Sequence, residues 1–362
     1  MTGQVPHGVV TAFYYQRHAR ERIPDDVWAY VAGAAGDGLT RRRNREAFDR
    51  LELRGRVLAD MSNASTASTL FGIDLPFPIL LAPVAHQRLV HSDGELATAL
   101  GAAACGAWMC VSTLAGATIE EVARTARAPL IFQLYMLGGR EASLALVRRA
   151  EAAGYRAVMV TADAPINGVR NEEQRAGFRL PPHVVPVNIA GISGPISRAG
   201  PGESPVFKGL LDGAPTWADI EWLRARTPLP LLVKGVSHPA DAERAIDCGV
   251  DCMVVSNHGG RTLDTLPASV DLLRAVADKV SGRLPLLLDG GVRRGTDVLK
   301  AVALGAKAVM IGQPIMHALA VAGPVGIVHL VTLLRAELEA AMALTGCATI
   351  DAICDDVLNT GH

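Results

Sequence analysis

LLLDGGVRRGTDVLKAVALGAKAVMIGQP, residues 286 to 314, opens and closes on short apolar runs with an Ala-rich stretch of helical spacing between them. The runs LLLDG (286–290) and AVMIG (308–312) have strand length and do not alternate with polar residues, so each reads as a strand buried on both faces. Buried strands joined by helices pair in parallel, so the stretch reads as a strand, a crossover helix and a second parallel strand. Both runs end in residues suited to a bound anion: Gly290, Gly291 and Arg293 after the first, Gly312 after the second.

The same rhythm occupies most of the chain. Runs at 79–85 (ILLAPVA), 108–113 (WMCVST), 130–135 (LIFQLY), 157–163 (AVMVTAD), 231–235 (LLVKG) and 252–257 (CMVVSN) precede the two already quoted. Eight such strands alternating with helices predict the α/β class and a (β/α)8 TIM barrel. An open doubly wound sheet fits less well, because no Gly-rich phosphate loop follows the first strand. Ala12 to Phe48 has a helical pattern with Pro24 placed at a helix start, giving an N-terminal helical segment over 1–50 ahead of a barrel over 75–355. The whole chain, 1–362, then reads as a single domain with a long Gly-, Pro- and Ser-rich loop after strand 4, residues 181–214.

Composition narrows the function. A net charge of −1 leaves no electrostatic footprint for nucleic acid, and the one dense basic run, Arg41, Arg42, Arg43 and Arg45, reads as a solvated or locally paired helix face. Six scattered cysteines without a C-x-x-C pair read as reduced thiols, which suits a cytoplasmic setting. With no leader-like segment and no apolar run approaching about 18 residues, no membrane partner is expected. No metal is expected either.

Catalytic residues of parallel barrels come from the C-terminal ends of the strands. Those ends carry Ala85, Ser112, Gln133 with Tyr135, Thr161 with Asp163, Lys234, His258 with Arg261, Asp289 and Gly312. In SNHGGR (256–261) the glycines let the backbone turn sharply, and Arg261 then offers a planar fork to a carboxylate. His258 beside a bound acid is a candidate general base, with Asp163 to orient its imidazole. Arg170 offers a second anion clamp; the plainer alternative is a surface arginine pairing with Glu172 or Glu173. A phosphate cradle, a strand-end lysine and a His–Arg pair suit a phosphate-bearing cofactor with a small acid beside it.

At these residues the chain resembles the FMN-dependent α-hydroxy acid oxidases and dehydrogenases, the group that includes glycolate, lactate and mandelate-oxidising enzymes. The resemblance runs from IPDDVWAYVAGAAGD through LAPVAHQRLVHSDGE, FQLY, VTADAP, LLVKGV, SNHGGRTLD and DGGVRRG to LTGC near 345, and the pairing of SNHGGR with DGGVRRG is its most specific part. It implies FMN as cofactor, an (S)-2-hydroxy acid as substrate, O2 as acceptor, and a homo-oligomer, a tetramer in many relatives. His258 matches the base, Asp163 its partner, Arg170 and Arg261 the carboxylate clamp, Tyr30 a further carboxylate contact and Tyr135 the tyrosine near the substrate hydroxyl. Lys234 matches the lysine beside the flavin; Ala85, Ser112, Gln133 and Thr161 match ring contacts; Asp289, Gly291, Arg293, Gly312 and Gln313 match the ribityl and phosphate end.

Two positions depart from the family pattern. Gln313 stands in IGQP where most relatives have an arginine, which removes one charge from the phosphate site. Leu114 stands where glycolate oxidases carry tryptophan, and with His86 it implies a roomier wall and a bulky or aryl substrate such as mandelate. Other readings are a dehydrogenase using another acceptor, an oxidase for lactate or glycolate, a redox-neutral FMN isomerase, and a barrel that has lost catalysis. The last two make no use of the His258, Arg261 and Arg170 set.

Overall fold

The computed structural model describes residues 3–192, 199–211 and 213–359. Eight parallel strands close into a barrel in sequence order: β1 (Ile79–Leu81), β2 (Met109–Ser112), β3 (Leu130–Leu134), β4 (Ala157–Thr161), β5 (Leu231–Val236), β6 (Cys252–Val255), β7 (Leu286–Asp289) and β8 (Ala308–Ile311), which pairs back onto β1. Alternate residues face two cores, as strand geometry demands. Leu80, Cys110, Ile131, Met159, Leu232, Val254, Leu287 and Met310 fill the barrel interior, while Leu81, Val111, Phe132, Val233 and Leu288 pack outward under the helices. Each such side chain contributes about 1.5–3 kcal/mol on burial, so the two apolar layers fix the strand register that aims the polar ends.

The apolar runs in the sequence overshoot the strands at their C-terminal ends. Residues 82–85, 162–163 and 256–257 have left the sheet, so Ala85, Asp163 and His258 sit on the first turns of the loops rather than on strands. A short hairpin, Ser68–Leu70 with Ile73–Leu75, was not anticipated. Its Leu70 and Leu75 pack with Trp108, Ala157, Cys252 and Ala308 at the strand beginnings and plug the opposite mouth. Residues 193–198 and 212 of the predicted 181–214 loop lie outside the described residues.

The N-terminal helical pattern resolves into three helices, Ala12–Arg20, Asp25–Ala32 and Leu39–Arg50, the second starting directly after Pro24 as expected. Gln313–Thr345 is a long helix interrupted at Ala322–Gly323, with Pro324 just beyond. Its most apolar 18-residue window has a mean hydropathy of 1.8, which corrects the expectation that no apolar run approaches about 18 residues. Packing against Gly94–Cys105 and Ala12–Arg20 accounts for that hydropathy, with 61% of the window buried inside the protein.

One carboxylate caps the third N-terminal helix from the barrel mouth. Asp264 accepts hydrogen bonds from the backbone N–H groups of Asp37 (2.9 Å), Leu39 (3.2 Å) and Thr40 (2.8 Å), capping the helix Leu39–Arg50 from 224 or more residues away. Burial alone would raise its carboxyl, but these N–H groups and that of Thr265 win and hold it down to about 2. Asp264→Ala is expected to lower stability by about 1–3 kcal/mol, read as a shift in the denaturation midpoint. Because the folded value lies below that of a free Asp (about 3.9), the contribution is complete above that pH and is lost as the pH falls towards 2. The variant should lack this part of the acid sensitivity, and identical pH dependence in both proteins below pH ~4 refutes the role.

Candidate active site

A cavity of about 1030 Å³ opens at the C-terminal ends of the strands and runs from the first β-strand loop to the N-terminal helices. Its lining includes Tyr30, Ala85, His86, Ser112, Leu114, Gln133, Tyr135, Thr161, Arg170, Lys234, His258, Arg261, Asp289, Gly291, Arg293, Gly312 and Gln313. These are the candidate residues read from the sequence, all but Asp163, which lies behind His258. The strand register explains the middle of the cleft. Ser112 pairs beside Gln133 and Thr161 beside Lys234, so four polar groups line up along neighbouring strand ends. Gln133 accepts from Ser112 Oγ at 3.2 Å and donates to Thr161 Oγ1 at 2.9 Å, which fixes the amide.

Lys234 is 4% exposed, and its ammonium lies 3.1 Å from Asp289 Oδ2 and 3.0 Å from Ser256 Oγ. Burial favours the neutral amine, yet Asp289 and Asp163 outweigh it and hold the lysine above its ordinary range. Ser256 Oγ also donates to Asp289 Oδ1 at 2.5 Å and accepts from the His258 N–H at 3.0 Å. One hydroxyl thus joins the lysine, the aspartate and the turn that carries the histidine.

That turn has three consecutive left-handed residues, His258 (φ 55°), Gly259 (63°) and Gly260 (75°). A Cβ at Gly260 would stand 2.7 Å from the Arg41 backbone nitrogen, so the close approach needs glycine. The turn points the His258 ring at Asp163, with Nδ1 2.9 Å from Oδ1. Asp163 itself sits against Gly235, where a Cβ would meet its side chain at 2.4 Å and where the β5–β6 register shifts. Burial raises the Asp163 carboxyl, but Lys234 and His258 more than offset this and leave it below the usual range. With Nδ1 donating to Asp163, Nε2 is the free proton acceptor.

The two arginines meet beside this pair. Arg261 donates to the carbonyls of Tyr30 (2.7 Å) and Gly33 (2.9 Å), and Arg170 Nε to the carbonyl of Arg261 (3.4 Å). Both reach Glu173, at 3.2 Å from Arg170 and 3.3 Å from Arg261. Arg170 is therefore in the cleft and paired with Glu173, so the two readings of it describe one arrangement. Tyr30 stacks on Phe178 with centroids 4.8 Å apart and lies under the Arg261 guanidinium. Burial raises the Tyr30 phenol and pushes that of Tyr135 up to about 12, so both are hydrogen-bonding groups at neutral pH. His86, left-handed at φ 57°, has its ring 6.1 Å from Tyr30, donates its backbone N–H to the Leu114 carbonyl at 3.4 Å, and is kept neutral by burial.

At the other end Arg293 donates to Gln313 Oε1 at 2.6 Å, and Gln313 Nε2 to the Val31 carbonyl at 3.1 Å. Arg41, Arg42 and Arg45 also line the cavity; Arg42 and Arg43 are exposed and Arg45 pairs with Asp49 one turn on at 2.8 Å, as a solvated or locally paired face implies, while Arg45 also reaches the buried Asp297 at 2.5 Å.

The FMN-dependent dehydrogenase family model matches residues 19–360. An L-lactate oxidase of Alicycliphilus denitrificans is 46% identical over 98% of each chain, and glycolate oxidase 3 of Oryza sativa subsp. indica is 41% identical over 94% of this chain and 93% of its own. A solved mandelate oxidase bound to benzoyl-formic acid superposes with a TM-score of 0.88 at 38% identity, covering 97% and 98% of the two chains. The chain belongs to the FMN-dependent dehydrogenase family.

The residues present fit FMN, the cofactor of this family. Burial, with Arg45 and Arg41 nearby, pushes the Arg293 guanidinium down to about 10, and among the described residues no carboxylate lies within ion-pair distance of it. A phosphate relieves that charge. The row Ser112, Gln133, Thr161 and Lys234 supplies hydrogen-bonding groups along a flat ring, with the cation a reduced flavin favours.

Ser256 and Asp264 are site members that the sequence does not mark, and Glu173 is marked there only as a surface partner of Arg170. Glu173 and Asp264 follow the arginines by three residues each, the only local signal; Ser256 was passed over as strand end. Lys234→Met is expected to cost about 3–5 kcal/mol of stability by leaving Asp289 buried without its cation. Lys234→Met combined with Asp289→Asn should recover most of that loss in denaturation measurements, and no recovery would show that the pair is not the cause.

Proposed function

We propose that this protein oxidises an (S)-2-hydroxy acid with a bulky or aryl side chain to the 2-oxo acid, with O2 as acceptor and hydrogen peroxide as co-product. The observation that carries the reading is the His258–Asp163 pair, 2.9 Å apart, opening into the same cleft as two arginines. Arg170 and Arg261 hold the substrate carboxylate, assisted by Tyr30. His258 Nε2 takes the hydroxyl proton, and Asp163 stabilises the imidazolium that forms. Tyr135, un-ionised, orients the hydroxyl. Bound FMN would supply the two-electron acceptor for the substrate α-carbon, with O2 as the final acceptor reduced to hydrogen peroxide. Ala85, Ser112, Gln133, Thr161, Lys234, Asp289, Gly291, Arg293, Gly312 and Gln313 are the residues assigned to holding it.

Leu114 and His86 form the wall beside Tyr30, and an apolar leucine with a neutral imidazole suits an aromatic side chain. A second reading, a small aliphatic acid, is favoured by the identity to L-lactate oxidases. Anaerobic addition of (S)-mandelate or of L-lactate to the yellow protein separates the two. Faster flavin bleaching by mandelate supports the aryl reading, whereas faster bleaching by lactate overturns it. His258→Ala should retain FMN and lose about 10²–10⁴-fold in the rate of flavin reduction. An unchanged rate removes His258 as the base.

A further inference from the structure

Two guanidinium groups share one small volume, and nothing in the reaction explains the acid between them. Glu173 lies on the short helix Asn171–Arg175 with its side chain 15% exposed, and its carboxylate meets Arg170 Nη1 with both oxygens, at 3.2 and 3.4 Å, and Arg261 Nη2 with one, at 3.3 Å. The backbone holds the rest of each fork: the carbonyls of Tyr30 and Gly33 take Arg261 Nη1, and the carbonyl of Arg261 takes Arg170 Nε. Arg170 Nη2 and Arg261 Nε donate to no described residue, so each guanidinium keeps one edge for a ligand. Burial and the neighbouring Arg170 charge both push the Arg261 guanidinium down, and Glu173 opposes them.

We propose that Glu173 is a positioning residue that fixes the two arginines and sets the charge of the carboxylate site, so that it accepts monoanions in preference to dianions. This rests on reading Arg170 and Arg261 as the substrate clamp. Two cations and one anion leave a single positive charge, which one carboxylate neutralises. Without Glu173 the site carries two charges in a water-poor volume, where a doubly charged ligand gains most.

The test is calorimetric titration of the FMN-loaded protein with sodium acetate and with sodium sulfate at constant ionic strength. Glu173→Gln keeps the size and an acceptor oxygen but removes the charge, and should shift the sulfate-to-acetate affinity ratio roughly tenfold towards sulfate. Glu173→Asp keeps the charge, so its ratio should stay with the native protein. Its shorter reach spans only one arginine, which should raise KM for the hydroxy acid while kcat holds within about threefold. A ratio in Glu173→Gln within about twofold of the native value overturns the proposal. Should Glu173→Gln not fold, an unchanged KM in Glu173→Asp overturns it. No anion titration depends on turnover. A native protein that no 2-hydroxy acid reduces therefore sinks the proposed function, while the ion ratio still reports on Glu173.

Discussion

The ion pair between Lys234 and Asp289 holds a full positive charge in the mouth of a barrel whose interior is otherwise apolar. A buried charge is tolerated only when paired and hydrogen-bonded, and here the partners are also the site's other working groups. Ser256 passes a hydrogen bond from lysine to aspartate and anchors the His258 N–H, and the same lysine lowers the Asp163 carboxyl that orients His258. The base, its orienting acid and the cation are therefore one electrostatic unit carried on β4, β5, β6 and β7.

Around that unit the N-terminal helices act as a wall built by long-range contacts. Asn44 exchanges hydrogen bonds with Asn257 at 2.9 and 2.7 Å, Asp264 caps Leu39–Arg50, and Gln313 reaches Val31. Each contact joins the first 50 residues to a strand-end loop of β6 or β8. Tyr30, which the helix Asp25–Ala32 places under Arg261, thus has its position set from both sides of the chain.

The barrel was legible because parallel strands buried on both faces leave unbroken apolar runs, and all eight runs marked real strands. The same feature blurred their ends: apolar loop residues such as Val84 and polar ones such as Asp163 continue the run after the ladder has stopped. Strand-end residues were legible because the barrel topology alone brings them together. Asp264, the hairpin at 68–75 and the contact of Glu173 with Arg261 were not, because they depend on partners dozens to hundreds of residues away; only the local pairing of Glu173 with Arg170 could be read. The helix Gln313–Thr345 shows the converse: its apolarity is a packing requirement that composition cannot assign to a surface.

The two ends of the cleft solve opposite charge problems. At the Arg170–Arg261 end Glu173 pairs with both guanidiniums, so two cations and one anion leave a single positive charge. At the phosphate end Arg293 has no carboxylate within ion-pair distance among the described residues, and Gln313 contributes hydrogen bonds in place of charge. There Arg41 lines the cavity with its guanidinium on the Ala32 carbonyl, and it is close enough to Arg293 to depress it. Arg41 thus brings a cation to the end of the cleft where Gln313 carries none. Acids thus stand in both clusters: Glu173 sits between Arg170 and Arg261, while Asp297 and Asp49 hold Arg45 and leave Arg293 as the guanidinium without a carboxylate partner among the described residues.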